Sequence, residues 1–154
     1  MKKMHPEGDA IVEFVDALIN ARQAIKQLAQ QKIKDLHDRE ITYEMLQVLI
    51  VLWKKHEVNQ QEIANRVQKN KASLTPLIDS LVTKKLVTRQ TDPADRRNKI
   101  ISLTPTGKQY KKKFAPMMTE MYAIMKGGIP DEKLRETTTI LLTASKNITT
   151  RQSS

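Results

Sequence analysis

The spacing of the apolar residues changes near Lys85, and this change constrains the fold more than any other feature of the sequence. Residues 71–85 place Leu, Ile and Val at three- and four-residue spacing, which predicts an amphipathic helix. Residues 86–91 and 98–103 read instead as two short strands, with apolar and β-branched side chains. The intervening DPAD at 92–95 has the residue types of a tight turn. The sequence therefore predicts a helix followed by a β-hairpin.

A shorter helix is predicted just before this one. The expected N-caps along the chain include Thr42, Asn59 and Thr104, and Glu62 stands three residues after Asn59 as in a capping box. Residues 68–70 read as a polar turn between the two helices, which makes a helix-turn-helix. Such a pair is weakly specific alone, because any small helical bundle contains one. Followed by a hairpin that adds a wing, it is much more specific.

Longer helices flank this unit. An apolar helix over 42–55 should be central, and amphipathic helices are expected over 9–37 and, in two parts, over 105–148. The polar tail from Thr149 is expected to be frayed. The 154 residues fit one domain. We therefore expect a mainly α fold with a small β-hairpin wing, in which residues 42–104 form a winged helix-turn-helix lobe.

The positive charge is concentrated in one segment. The chain carries a net charge of +10, and residues 66–113 alone contain 13 Lys and Arg against three Asp, so the rest is balanced. A localised basic surface indicates a polyanionic partner, nucleic acid before membrane. The alternative is a solvated basic face that serves solubility.

Several classes of site find no support. The chain has no cysteine, which excludes disulfides, thiolate metal sites and a cysteine redox switch. His5, His37 and His56 are far apart, so neither a metal site nor another cofactor is expected. There is no secretory signal and no apolar run long enough to span a bilayer, which favours a soluble, cytoplasmic chain. No phosphate-binding glycine loop or catalytic triad spacing appears, so an enzyme is the least supported class.

The hairpin tip carries an acid and two arginines, Asp95, Arg96 and Arg97. If the helix over 71–85 lies in the major groove of DNA, the tip reaches the neighbouring minor groove, whose negative potential attracts arginine. One arginine could enter that groove while the other binds phosphate, with Asp95 holding the Arg97 guanidinium in a bidentate pair. The alternative is an exposed turn with a weak surface ion pair. The candidate DNA contacts are Lys69, Asn70, Lys71, Ser73, Thr75, Pro76, Arg96 and Arg97.

These residues resemble the MarR family (multiple antibiotic resistance regulators) of bacterial winged-helix transcription factors. The family's wing signature is D-x-R, three residues, a branched apolar residue, one residue, then L-T. It is met here by Asp95, Arg97, Ile101, Leu103 and Thr104. The stretches QEIANRV and SLTPLIDSLVTKKLVTR are similar to the family's helix-turn-helix and the start of its wing. The resemblance covers residues 42–108 closely and implies a single MarR-type domain.

The resemblance implies a sequence-specific regulator that binds double-stranded DNA, a ligand-responsive repressor acting as a homodimer on a pseudo-palindromic operator. Residues 9–37 and 105–148 would form the helical dimerisation region, and Arg97 would be the minor-groove arginine with Asp95 as its partner. It also suggests an effector pocket, for a small apolar or aromatic molecule, between that region and the lobe. The candidates for its wall are Ala21, Ile25, Leu46, Trp53 and Met118. Trp53 has a second interpretation, a core anchor whose indole N–H finds one partner.

The chain departs from the family at two points. Pro76 stands where many members have Arg, and Lys85 stands where Gly is common. The spelling SLTPL occurs in the branch of the organic-hydroperoxide regulators, whose sensing cysteine this chain lacks.

The interpretation of two further segments stays open. The stripe from Phe114 to Met125 could be core and dimer interface or line a pocket, and residues 111–113 could touch phosphates or face solvent. The alternative function is a winged-helix module that binds protein or RNA without operator specificity.

Overall fold

The structure, a computed structural model, describes residues 9–36 and 40–152. The described ranges form six helices and three strands, which confirms the mainly α class with a small β wing. Of the three histidines considered as metal ligands, His5 and His37 lie outside the described residues. The elements are α1 (Ala10–Asp35), α2 (Tyr43–Lys55), β1 (Glu57–Asn59), α3 (Gln60–Arg66), α4 (Lys71–Thr83), β2 (Val87–Thr91), β3 (Lys99–Leu103), α5 (Pro105–Lys126) and α6 (Asp131–Gln152).

Side-chain caps begin the helices where the sequence predicts them. The Thr42 hydroxyl accepts a hydrogen bond from the Met45 N–H at 3.2 Å, and the Asn59 carboxamide oxygen accepts one from the Gln61 N–H at 2.7 Å. Thr104 accepts from the Gly107 N–H at 2.9 Å and so caps α5. Each cap satisfies an amide that has no partner within its helix, which fixes the first residue of the helix.

The predicted capping box at α3 is wrong. The Glu62 carboxylate lies 2.6 Å from the Lys55 ammonium and 2.9 Å from an Arg66 guanidinium nitrogen, instead of returning to the backbone of Asn59. The hydrogen bond from Lys55 is the main cause that lowers the pKa of Glu62, and the nearby Arg66 charge adds to it. Lys55 and Arg66 therefore bind the carboxylate that a capping box would place against the backbone N–H of Asn59.

A left-handed residue ends α4. Lys85 has φ 56°, its N–H donates to the Val82 carbonyl, and the Leu86 N–H donates to the Leu81 carbonyl. These two hydrogen bonds form a Schellman turn, whose left-handed position usually takes glycine. The departure at Lys85 therefore leaves the turn intact, and the helix ends at Thr83, two residues before the predicted boundary.

The wing belongs to a three-stranded antiparallel sheet of order β1-β3-β2. The strand β1, in which Val58 pairs with Ile101 of β3, was not predicted from the sequence. Three residues are too few to display an alternating pattern, so only the pairing reveals the strand. The predicted hairpin is present, with Val87 opposite Leu103 at its base and Thr91 opposite Lys99 near its tip.

The chain divides into two compact units, of which the first ends at Met118. The core of this unit is built around α2, and the Trp53 indole N–H donates to the Gly107 carbonyl at 3.0 Å, which confirms the core-anchor interpretation. The Trp53 and Phe114 ring centroids lie 6.2 Å apart. The buried side chains of α2 are those of Met45, Leu46, Val48, Leu49, Val51, Leu52 and Trp53.

The second unit, residues 119–154, contains the end of α5 and all of α6. The helix α6 continues to Gln152, past the predicted helix end at residue 148, and Ser153 and Ser154 of the predicted frayed tail lie outside the described residues. No described side chain of α6 is buried, and its large apolar residues Leu134, Ile140, Leu142 and Ile148 are exposed. The stripe on α5 is core at Phe114 and exposed at Met125.

None of the helices in the described ranges combines the length and the apolar character needed to cross a membrane.

Candidate nucleic-acid interface

A tight turn presents the first residues of α4. Gln68 has φ 54°, and the Lys69 N–H donates to the Ala64 carbonyl at 2.9 Å, so the chain reverses directly after α3. The Asn70 side chain then accepts from the Ser73 N–H at 2.8 Å and caps α4. Lys71 and Ser73 are exposed as a result, in the first turn of the helix.

The Thr75 hydroxyl is engaged within the protein. It donates to the Lys71 carbonyl at 2.9 Å and lies 3.4 Å from the side-chain amide nitrogen of Gln60, which can donate to it. Gln60 was not among the predicted site residues, and only 7% of its surface is exposed. It joins α3 to α4, because a buried amide needs a partner. No local sequence signal distinguishes this glutamine from a solvent-exposed one.

Pro76 lies exposed within α4. A proline has no backbone N–H, so the Ala72 carbonyl lacks the donor that residue i+4 would normally supply. The predicted loss of a base-reading arginine is therefore accompanied by a change in the hydrogen bonding of the helix backbone.

Asp95 orders the wing tip through the backbone. One oxygen of its carboxylate accepts from the Arg97 N–H at 3.0 Å, and the other accepts from the Asn98 side-chain amide at 3.1 Å. The expected bidentate pair with the Arg97 guanidinium is absent. Asp95 holds the turn in an Asx-type arrangement instead, because its short side chain reaches an amide two residues along more readily than the end of an arginine.

Each acid of the basic segment has a structural partner. Asp79 pairs with Arg89 at 2.7 Å, which ties α4 to β2, and the Asp92 carboxylate accepts from the Ala94 N–H at 2.9 Å. Together with Asp95 these are the only acids in residues 66–113. Neither Arg96 nor Arg97 forms an ion pair with any residue that the structure describes. The tip cations are therefore exposed and available to an external anion.

Arg97 shares a small cleft with two lysines. The cleft has a volume of about 40 Å³ and lies between the wing and the α3–α4 pair. Lys71 and Lys99 contribute its other cations, and no acid is among its lining residues. Arg96 does not line it. The polar and small walls are Asn59, Gln60, Gln61, Ala64 and Asn98. Three cations without a counterion make this cleft suited to one anionic group.

The five predicted pocket residues are in different environments. Leu46 and Trp53 are buried in the core, Ile25 and Met118 are half-buried, and Ala21 is exposed. Lys111, Lys112 and Lys113 are exposed on α5. Within the described residues, no group of three or more His, Asp and Glu side chains is placed to hold a metal ion.

We predict that Asp95→Ala weakens DNA binding although it removes a negative charge, because the backbone around Arg97 loses its support. Asp95→Asn is the matched control, since its carboxamide oxygen can still accept from the Arg97 N–H. We expect a loss of about threefold to tenfold for alanine, equivalent to roughly one hydrogen bond, and less for asparagine. Binding titrations at one salt concentration test this. Tighter binding by both variants would mean that Asp95 acts only through its charge.

The helix-turn-helix and its hairpin define a winged helix-turn-helix protein. The sequence model of the MarR family matches residues 41–99. The HTH-type transcriptional regulator SarZ of Staphylococcus aureus (strain MRSA252) is 30% identical over 97 residues. That alignment covers 63% of this chain and 66% of SarZ, slightly less than two thirds of the relative. The chain is therefore similar to the MarR family over its winged helix-turn-helix lobe.

Solved structures agree with the fold. The S. aureus MepR–DNA complex is 25% identical with a TM-score of 0.71, covering 88% of this chain and 96% of that one. Bordetella bronchiseptica BpsR, from a study of the regulation of its DNA binding by 6-hydroxynicotinic acid, is 23% identical with a TM-score of 0.74. That match covers 86% of this chain and 98% of BpsR.

Proposed function

We propose that this chain is a transcriptional regulator that binds double-stranded DNA sequence-specifically as a homodimer. The observation that carries the proposal is the meeting of Lys71, Arg97 and Lys99 between α4 and the wing, without an acid among them. The match of residues 41–99 to the MarR family model supports it, and the similar MepR structure contains DNA.

In the proposed complex, the first turn of α4 lies in a major groove and the wing approaches the adjacent minor groove. The DNA strand between the two grooves would pass the small cleft, with Lys71 on the major-groove side and Arg97 on the minor-groove side. Asn70 and Ser73 are short and polar, which suits them to contacts with phosphates and base edges. The engaged Thr75 hydroxyl leaves its methyl group as the more suitable contact, for example with the methyl group of thymine.

The homodimer is proposed from the apolar surface that the chain leaves exposed. On α1 the exposed residues include Ile11, Val15 and Leu18, and α6 adds a comparable set. A soluble monomer seldom exposes so many large apolar side chains on two helices. A second copy of the chain would cover them, and the two-fold axis would place the half-sites of a pseudo-palindromic operator about one helical turn apart.

Control by a ligand, and repression as the outcome, are further parts of the proposal. Two proteins of similar structure are linked to small aromatic acids: 6-hydroxynicotinic acid regulates the DNA binding of BpsR, and NadR is bound to 4-hydroxyphenylacetate. A chain with this function has no enzymatic role and works in the cytoplasm, where its DNA is. The predicted pocket residues Ala21, Ile25, Leu46, Trp53 and Met118 stay candidates for an apolar or aromatic effector.

The test is a titration against the DNA upstream of the chain's own gene, with an excess of scrambled duplex, at two salt concentrations. We expect the upstream fragment to be preferred by roughly a thousandfold or more. We expect affinity to fall by about three orders of magnitude between 50 and 200 mM salt if some six phosphates are contacted. If the excess of scrambled duplex displaces the protein from the upstream fragment, the result would favour the alternative, a winged-helix module that binds protein or RNA.

A further inference from the structure

A larger cleft lies between α1, α2 and the turn before α4. Its volume of about 470 Å³ is in the range of small-molecule sites, roughly 300–1,000 Å³. It opens on a face of α2 different from that of Trp53, and none of the five predicted pocket residues lines it. The lining residues are Ile19, Asn20, Arg22, Gln23, Lys26, Tyr43, Glu44, Gln47, Val67, Gln68 and Lys69.

The cleft has an excess of positive charge. Arg22, Lys26 and Lys69 contribute three cations, and Glu44 is the one acid among the lining residues. The Glu44 carboxylate lies 3.1 Å from the Lys26 ammonium. Burial alone would raise the pKa of Glu44, but a backbone hydrogen bond, Lys26 and Lys69 together lower it below its ordinary value. Glu44 is therefore ionised at neutral pH and balances Lys26.

The other two cations have no such partner. Neither Arg22 nor Lys69 forms an ion pair with a residue of the described ranges. Arg22 is exposed on α1, and Lys69 is half-buried in the turn that leads into α4. They therefore leave a net charge of about +2 in the cleft, contributed by α1 and by the turn before α4.

The remaining walls are mostly polar. The amides of Asn20, Gln23, Gln47 and Gln68 line the cleft, and the Gln47 side chain donates to the Tyr43 hydroxyl at 3.1 Å. The aliphatic lining is limited to Ile19 and Val67. Such a surface offers hydrogen bonds on several sides of a charge, so it suits a hydrophilic anion better than an apolar aromatic molecule.

We propose that this cleft binds a small polar anion bearing carboxylate or phosphate groups, held between Arg22 and Lys69 and hydrogen-bonded by the surrounding amides. The site is separate from the predicted apolar pocket. It also differs from the cleft at the wing, since the two have no lining residue in common.

The position of Lys69 gives the site a regulatory consequence, and this part rests on the proposed function. Lys69 is a candidate phosphate contact and stands next to the Asn70 cap of α4. An anion in the cleft competes with the DNA backbone for the Lys69 ammonium. A bound anion therefore weakens DNA binding without any large movement of the winged helix-turn-helix lobe.

The first experiment uses the full chain without DNA. Citrate, inorganic phosphate and benzoate are titrated separately at constant ionic strength, and ¹⁵N NMR follows the side-chain amides of Gln47 and Gln68. We expect saturable shifts with citrate or phosphate, and much weaker ones with benzoate. Arg22→Gln should raise the dissociation constant about tenfold, as expected for the loss of one charged hydrogen-bonding partner.

Lys34→Gln is the matched control, because Lys34 is an exposed cation on the same helix and does not line the cleft. It should leave the dissociation constant unchanged within about twofold, as a screened distant charge does. Equal losses in the two variants, absence of saturation, or a preference for benzoate would overturn the site.

The second experiment measures affinity for the upstream DNA with and without the anion that binds. The anion should lower the affinity of the wild-type chain for DNA, and Arg22→Gln should need about ten times more anion for the same effect. Anion binding with unchanged DNA affinity would overturn the regulatory consequence alone. A chain that binds no operator at all would refute the proposed function, while the NMR result would still decide the anion site.

Discussion

Arg97→Ala is expected to weaken binding to operator DNA about 10- to 100-fold, the usual cost of a groove-reading arginine. Arg97 lines the cleft with Lys71, and it has no ion-pair partner among the described residues. Removal of the Arg97 side chain therefore deletes a contact with DNA in the complex, and it deletes little that stabilises the free protein. Asp95 bonds the Arg97 backbone, so the turn survives the substitution.

Arg96→Ala is the matched control for charge. Arg96 is adjacent and exposed but does not line the cleft, so its loss should cost about twofold to fivefold, as for one screened phosphate contact. Fluorescence anisotropy with labelled operator at one salt concentration measures both variants. Equal losses would mean that the wing acts through its overall charge, and unchanged affinity for Arg97→Ala would refute the wing assignment.

Gly107→Ala is expected to lower the free energy of unfolding by about 3–5 kcal/mol, an unusually large effect for one methyl group. A Cβ at Gly107 would lie 2.0 Å from the Leu86 carbonyl oxygen and 3.0 Å from a methyl carbon of Leu103. The Leu86 carbonyl cannot move freely, because it accepts from the Thr104 N–H at 3.1 Å. The Gly107 carbonyl accepts from Trp53, so a displaced α5 also loses that bond.

Thermal denaturation tests this prediction, with a fall in Tm of roughly 10 °C expected for a chain of this size. Gly128→Ala is the control, since a Cβ there has no heavy atom within 4 Å. That variant should be neutral or stabilised by less than about 1 kcal/mol, because alanine restricts the unfolded chain. A Gly107→Ala chain as stable as wild type would contradict the close approach of α5 to Leu86.

The features that the sequence predicted correctly depend on local physical chemistry. Helix starts follow from side chains such as Thr42 and Asn59, which satisfy amides two or three residues away. The wing follows from two strand-like segments and a turn that are adjacent in the chain. Local signals of this kind can be recognised in the sequence, because the interacting groups are only a few residues apart in the chain.

The features that the sequence did not predict depend on contacts between distant segments or on turn geometry. The strand β1 is defined by its pairing with β3, more than 40 residues later. Glu62 turns to Lys55 and Arg66 instead of its own helix cap, and Asp95 takes a backbone amide instead of a guanidinium. The larger cleft joins residues 19–26 to residues 67–69, and no spacing rule connects these segments.

The most direct test of the central claim, that the α4–wing surface reads DNA as a two-fold pair, is a hydroxyl-radical footprint on the upstream fragment. We predict two protected half-sites with centres about 10 base pairs apart, and minor-groove protection that Arg97→Ala removes from both flanks. A single protected stretch without two-fold symmetry, or flanking protection that persists in Arg97→Ala, would contradict the account.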